Sequence, residues 1–371
     1  MSGLEGVVVA ETAVGDVRGE EGFFHYRQYS AVDLAQQRSL EDVWHLLFEG
    51  ELPEAAASAA FASEVRGRRR VPPGLAALLP ALAAQGTPLD TLRSSVSVLG
   101  AELGWRPIHD IKPEELYDQA LDLCSVVPTI LAATYRLREG QEPVEPRADL
   151  DGSANYLYML TGAVPPAEHA RAIEQYMILT IDHGFNASTF TARVITSTGA
   201  DLGAAVVGAI GALSGPLHGG APSRALDMLD AIGTPDRAET YIRQAVEDGD
   251  RIMGFGHRVY KTDDPRSILL RSVTERLGGP LVDLSELVER TSVDVLAELK
   301  PGRRLYTNVE FYAGVVMQTC GVPRDMFTPT FAAARTIGWC THVMEQASHN
   351  RLIRPSARYI GPPPPQPVPP R

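Results

Sequence analysis

The chain has 371 residues, of which 44% are apolar and 22% charged. That is the make-up of an ordinary globular protein, not of a disordered, coiled-coil or collagenous one. Its 34 Lys and Arg against 46 Asp and Glu leave a net charge of −12, which disfavours a nucleic-acid or anionic-membrane binder and requires a locally basic pocket for any anionic ligand.

Three cysteines, Cys124, Cys320 and Cys340, are too few and odd in number for a disulfide framework. A reducing cytoplasm is the expected compartment. The start shows no signal-peptide pattern. The apolar run Ala204–Leu213 is shorter than the ~20 residues a bilayer needs, so no membrane span is expected.

Along the chain, the first ~30 residues read as a small sheet or hairpin, with Val7–Val9 as an apolar run and Phe23–Tyr26 as an aromatic one. Helical signals follow. Ser39 caps a segment through Val43, Leu46 and Leu47 that Gly50 closes. The Arg66, Arg68, Arg69, Arg70 cluster reads as a solvated loop, with a phosphate-contacting patch as the alternative. Pro113 opens a helix that Pro128 should kink or end. Pro166 starts another, with Ala170, Ile173, Met177 and Ile181 on one stripe. Asp201–Leu213 is rich in small residues and should pack closely against a partner helix. Segments 221–232, 263–277, 309–320 and 327–345 also read as helices, and the proline-rich 362–371 as an extended tail.

Three glycine-flanked histidines stand out: His183, His218 and His257. Glycine beside histidine lets the backbone turn tightly and a ligand approach. His218 lies between two helices, where the positive end of the second favours a neutral imidazole, a donor suited to an enolate oxygen. Taken singly, each histidine fits a capped or buried structural role better than a functional one. The Gly254-Phe255-Gly256 run completes no dinucleotide fingerprint. Cys340-Thr341-His342 has the wrong spacing for two metal ligands on one helix face, and no metal is expected. Arg266 follows His257 by nine residues, Arg335 interrupts the apolar run Phe331–Trp339, and Arg354 follows near the end. A desolvated arginine needs an anionic partner. Asn308 caps a helix that carries Glu310 in its first turn, either simply as an acid favoured there by the dipole or as a general base. A small dicarboxylate would need the arginines, and carbon-acid chemistry the histidines and the carboxylate.

The stretches LRSSVSVLGA (Leu92–Ala101), DHGFNASTFTARV (Asp182–Val194), STGADL (Ser197–Leu202), GPLHGGA (Gly215–Ala221), IMGFGHRVYKTDDPR (Ile252–Arg266), NVEFYAG (Asn308–Gly314), FAAARTIGW (Phe331–Trp339) and LIRPSARYIGP (Leu352–Pro362) together resemble the citrate synthases, in the short dimeric form found among actinobacteria. The resemblance implies a mainly α fold with a small β element at the N-terminus. A large helical domain would comprise 1–219 and 321–361, and a smaller inserted helical domain 220–320 would close over it, with 362–371 as a mobile tail. It implies condensation of acetyl-CoA with oxaloacetate and water to citrate and CoA, at the entry of the tricarboxylic acid cycle. Acetyl-CoA is then a co-substrate, with no permanently bound cofactor and no metal. By the same resemblance His218 donates to the thioester oxygen, Glu310 takes the methyl proton and His257 polarises the ketone. His183, Arg266, Arg335 and Arg354 bind oxaloacetate and citrate, Arg354 reaching across a homodimer. Phe255, Gly256, Val259, Tyr260 and Lys261 border the coenzyme.

Two positions depart from the family pattern. Glu310 stands where most members carry Asp, which lengthens the side chain by one methylene, and a displacement of ~1 Å can cost ~10²-fold in rate unless the backbone compensates. Thr180 stands where many have a histidine. Two other readings compete. A 2-methylcitrate synthase would use propionyl-CoA, one methylene larger and worth only ~1–3 kcal/mol of discrimination. A non-catalytic paralogue would bind CoA or a dicarboxylate as a sensor.

Overall fold

Alternating burial of side chains along short strands builds the N-terminal sheet. Strands β1 (Gly15–Arg18), β2 (Phe23–Tyr26) and β3 (Tyr29–Ser30) pair antiparallel in that order, with Gly15 opposite Tyr26 and His25 opposite Ser30. Phe24 and Tyr26 are buried while Phe23 and His25 are half-buried. Val7–Val9 is not a strand, and its residues are exposed, so that part of the expected sheet is absent. The structure, a computed structural model, describes residues 3–4, 6–218, 222–250, 252–256, 260, 262–300 and 306–368.

Sixteen α-helices follow among the described residues. They are α1 (Ala31–Gln37), α2 (Leu40–Glu49), α3 (Ala55–Gly67), α4 (Pro73–Ala83), α5 (Pro88–Glu102), α6 (Pro113–Arg138), α7 (Gly152–Thr161), α8 (Ala167–Thr180), α9 (Ala187–Ser197), α10 (Leu202–Leu213), α11 (Pro222–Ile232), α12 (Ala238–Glu247), α13 (Pro265–Leu277), α14 (Pro280–Leu299), α15 (Val309–Thr319) and α16 (Phe327–Ser348). Their starts carry the expected chemistry: Ser39, Asp201, Asp264 and Asn308 each accept a first-turn N–H through the side chain. Pro128 does not end α6, which runs unbroken to Arg138. An interior proline removes one helical hydrogen bond, but here it sits on a helix buried along most of its length, where packing compensates. That helix is long and apolar enough to cross a bilayer, yet most of the stretch is buried inside the fold.

α16 is the central element, packing on α6, α8, α9 and α10. Gly338 permits the closest approach: a Cβ there would meet the Ile181 carbonyl oxygen at 2.0 Å. The small residues of α10 serve a similar purpose at Gly208, where a Cβ would lie 2.2 Å from Ile195 of α9. Helices α11–α15 pack largely on one another and meet the rest through α1, α8 and α16.

Residues 68–70 of the arginine cluster form a loop with Arg70 exposed, but the rest of the cluster is not solvated as expected. Arg66 lies in the last turn of α3. Arg68 pairs with Glu64, Asp118 and Asp122. Arg69 is buried against Glu41 and the carbonyl of Leu150. Those two guanidiniums are thus already engaged with carboxylates, which contradicts both readings of them.

Candidate active site

The site grows from the end of α8. Tyr26 of β2 donates to the carbonyls of Ile178 and Asp182 at 2.8 and 3.2 Å, fastening the sheet there. The close approach at Gly338 sets α16 against the same turn, and Arg335 Nε donates to the Thr180 carbonyl at 2.8 Å. Arg335 is 2% exposed and its guanidinium lies 4.5 Å from the Phe331 ring centroid. Asp182 accepts from His342 at 3.0 Å. Burial works against its charge, but His342 and Arg335 more than offset it and hold the carboxyl below its usual range. His342 in turn meets buried Arg193, which pairs with Glu345.

His183 follows. Its Nε2 lies 2.9 Å from the Tyr260 hydroxyl, and its ring packs on Phe24 and Tyr260. Arg266, also buried, is gripped by its own helix cap: Nε and Nη2 reach the two Asp264 oxygens at 3.0 and 2.8 Å. Burial opposes its charge and Asp264 outweighs that opposition, so the guanidinium is held more firmly charged than usual. Asp264 also accepts the Val309 N–H at 3.2 Å, tying α13 to the start of α15.

Glu310 sits in the first turn of α15. The glycine run is pinned against the segment before it: Gly256 N–H donates to Tyr306 O and Asn308 N–H to Gly254 O, each at 2.8 Å. Gly254 has φ +84°, and a Cβ there would lie 2.8 Å from Phe311, so glycine is required. Glu310 Oε2 is buried with no hydrogen-bond partner among the described residues. The carboxyl is pushed up to about 7, first by burial, against the pull of Arg266, with Asp264 adding to the rise.

His218 follows α10. Its Nε2 accepts the Ser188 N–H at 3.2 Å and lies 2.8 Å from Ser188 Oγ. An Nε2 that accepts a backbone N–H is unprotonated, which leaves the proton of a neutral ring on Nδ1. The imidazole is pushed down to about 4, first by burial and then by Arg335. Its neutrality, expected from a helix dipole, is favoured here by burial and by the Arg335 cation.

The structure therefore gathers His183, His218, Arg266, Arg335 and Glu310, with Phe255 on Phe311 at 5.5 Å, Gly256 on the pinned run and Tyr260 against His183 and Arg266. His257, Val259 and Lys261 lie outside the described residues. Arg354 is exposed on the segment after α16, which Ile353 N–H anchors to Ser197 Oγ at 3.0 Å. Sequence reasoning missed Ser188, Tyr176 and Asp264 as site residues. Tyr176, fully buried beside Glu310, has a hydroxyl with no hydrogen-bond partner among the described residues. Ser188 lies within the NAST run, a legible signal; Tyr176 has none, since it stands off the Ala170, Ile173, Met177 and Ile181 stripe.

The family model for the citrate synthase C-terminal domain matches residues 3–356. A citrate synthase of Deinococcus radiodurans is 40% identical over 364 residues, 97% of this chain and 95% of that one. A 2-methylcitrate synthase of Mycobacterium tuberculosis is 40% identical over 359 residues, 97% and 90% of the two chains. Among solved structures, the ternary complex of carboxymethyl coenzyme A and oxaloacetate with the Thermoplasma acidophilum citrate synthase matches with a TM-score of 0.89 at 27% identity, covering 99% of this chain and 97% of that one. Fold and site together define a helical acyltransferase, of the kind that converts an acyl group into an alkyl group on transfer. The chain belongs to the citrate synthase family.

Proposed function

We propose that the protein condenses acetyl-CoA with oxaloacetate and water to give citrate and CoA, feeding the tricarboxylic acid cycle. The observation that carries this reading is one desolvated cluster holding a neutral imidazole with its proton on Nδ1, a carboxyl poised near 7 and two buried guanidiniums. Glu310 as carboxylate takes a proton from the acetyl methyl group, while His218 donates Nδ1–H to the thioester oxygen. The enol carbon attacks the oxaloacetate ketone, which His257 polarises by the family pattern. Water then cleaves citryl-CoA. Arg266, Arg335 and His183 hold the dicarboxylate, and Lys261, Val259 and the Phe255–Tyr260 backbone border the coenzyme.

In this reading segment 220–320 is the smaller domain and closes over the site, consistent with the mutual packing of α11–α15. The active unit is a homodimer in which Arg354, exposed on its own chain, completes the partner's site. Complementation checks that: Arg354→Ala and His218→Ala chains, each inactive, should recover part of the activity when mixed under subunit exchange. Verified exchange without recovery overturns the shared site. The cytoplasm is the proposed compartment, supported by three buried, free cysteines.

The M. tuberculosis relative favours a second reading, propionyl-CoA in place of acetyl-CoA. CoA release measured with each thioester, with and without oxaloacetate, separates the two. Oxaloacetate-dependent release that is faster with acetyl-CoA is the expected result. No release from folded protein refutes condensation altogether.

A further inference from the structure

Among the described residues no hydrogen bond fixes Glu310 Oε2, so the aim of that oxygen depends on the backbone that carries it. That backbone is the junction where the segment before Asn308 becomes α15. Three groups hold it. Asn308 caps the Glu310 N–H at 3.1 Å, Asp264 accepts the Val309 N–H at 3.2 Å, and a second carboxylate, Glu289 of α14, spans the junction.

Glu289 is 8% exposed and uses both oxygens. Oε1 accepts from the Thr307 hydroxyl at 2.9 Å, and Oε2 from the Tyr312 hydroxyl at 2.6 Å. These two residues bracket Glu310, three before it and two after it. The outer edge of the fork is closed by Arg271 of α13, whose Nη1 lies 3.1 Å from Oε2. Thr307 also pairs with Phe255 across the isolated β-bridge. One side chain thus ties α13, α14, both flanks of the Glu310 turn and the glycine run into a single unit. A buried carboxylate is costly unless its oxygens are met by donors, and here the donors come from the junction itself.

We propose that Glu289 is a positioning residue for Glu310: it does not touch substrate but sets the aim of the carboxylate that removes the methyl proton. The inference rests on the reading of Glu310 as the base. A misplacement of about 1 Å costs about 10²-fold in rate, so the fork should act on proton abstraction and leave oxaloacetate binding, built from Arg266, Arg335 and His183, nearly intact.

The test compares Glu289→Gln, Glu289→Ala and the Thr307→Val/Tyr312→Phe pair, which removes both prongs while keeping the carboxylate. Glu289→Gln keeps the shape and is expected to lower kcat about tenfold, and Glu289→Ala about 10²-fold, with KM for oxaloacetate within about twofold of the parent. The primary isotope effect on condensation of methyl-deuterated acetyl-CoA should rise in each variant, because misaimed abstraction becomes the slow step. A general loss of packing does not single out that step. The Thr307→Val/Tyr312→Phe pair, added to Glu289→Gln, should lower kcat little further. Folded Glu289→Ala protein with parental kcat and isotope effect overturns the proposal, as does a rise in KM matching the fall in kcat with the isotope effect unmoved. If Glu310→Gln itself turns over normally, the base reading fails instead, and the two failures are told apart.

Discussion

The His218 and Glu310 regions are driven by the same force in opposite directions. Burial pushes the imidazole down to about 4 and the carboxyl up to about 7, because a low-dielectric pocket penalises whichever form is charged. Near neutral pH the histidine is therefore a neutral donor, and the glutamate stands on the edge between acid and base. The two differ in how they are held. His218 Nε2 is met by both the amide and the hydroxyl of Ser188, while Glu310 Oε2 meets no donor among the described residues and depends on its backbone. A donor must keep one tautomer, whereas a base must keep a free lone pair, so the bare oxygen suits the second task.

The largest expected effect breaks the comparison outright. Glu310→Gln keeps the shape but cannot accept a proton, and kcat should fall by about 10²–10⁴-fold while oxaloacetate binding largely survives. Near-normal turnover would move the base elsewhere. Glu310→Asp sharpens the point: if the backbone at α15 is adapted to the longer side chain, Asp should be slower. A faster Asp variant marks Glu310 as a compromised solution.

The opposed shifts also set the pH profile. Glu310 works only when ionised, so kcat/KM should fall about tenfold per pH unit below about 7 and level off above it. His218 stays neutral down to about 4 and should add no second slope between pH 5 and 7. A flat profile through that window would show that Glu310 is not the desolvated base.

A smaller change probes how His218 is held. Ser188→Ala removes the hydroxyl near Nε2 but keeps the backbone N–H, and strips the buried Trp339 Nε1 of its acceptor at 3.1 Å. We expect kcat to drop about tenfold, the scale of a net hydrogen bond, and the imidazole to titrate higher than in the parent, read by histidine NMR. An unchanged titration would leave burial and Arg335 as the sole determinants.

These partnerships explain what was legible beforehand. His183, His218, Arg335 and Glu310 announce themselves through glycine flanks, an apolar run or a capped helix start, and Arg266 through its place nine residues after His257, all local signals. Ser188 sits in a readable NAST run, but its partner, like those of Asp264 and Glu289, lies far off in sequence, 30, 45 and 18 positions away respectively, and no local pattern encodes which residues meet. The fold divides in the same way. Helix starts at Ser39, Asp201 and Asn308 follow from cap chemistry, but the persistence of α6 through Pro128 and the burial of Arg69 against Glu41 depend on tertiary packing. Local propensity yields to packing of that kind.

The smallest effect lies in stability, and its sign is fixed by the same shift. The Glu310 carboxyl rises from 4.5 to about 7 on folding. Below 4.5 both folded and unfolded chains hold the proton, and the site costs nothing. Between 4.5 and about 7 the unfolded chain releases it first, so stability falls as pH rises. Above about 7 the full penalty of a buried carboxylate is present, at most about 3 kcal/mol. His218 acts at the other end: its pKa falls on folding, so its contribution is complete above 6.5 and is lost as pH drops toward about 4. Glu310→Gln removes only the first effect. The variant should therefore gain stability relative to the parent as pH goes from 5 to 8, measured as the difference in denaturant unfolding free energy. Any fixed cost of the amide is the same at both pH values and cancels. A difference that does not change with pH would mean that the carboxyl is not desolvated in the free protein, and with it would go the symmetry between the two regions.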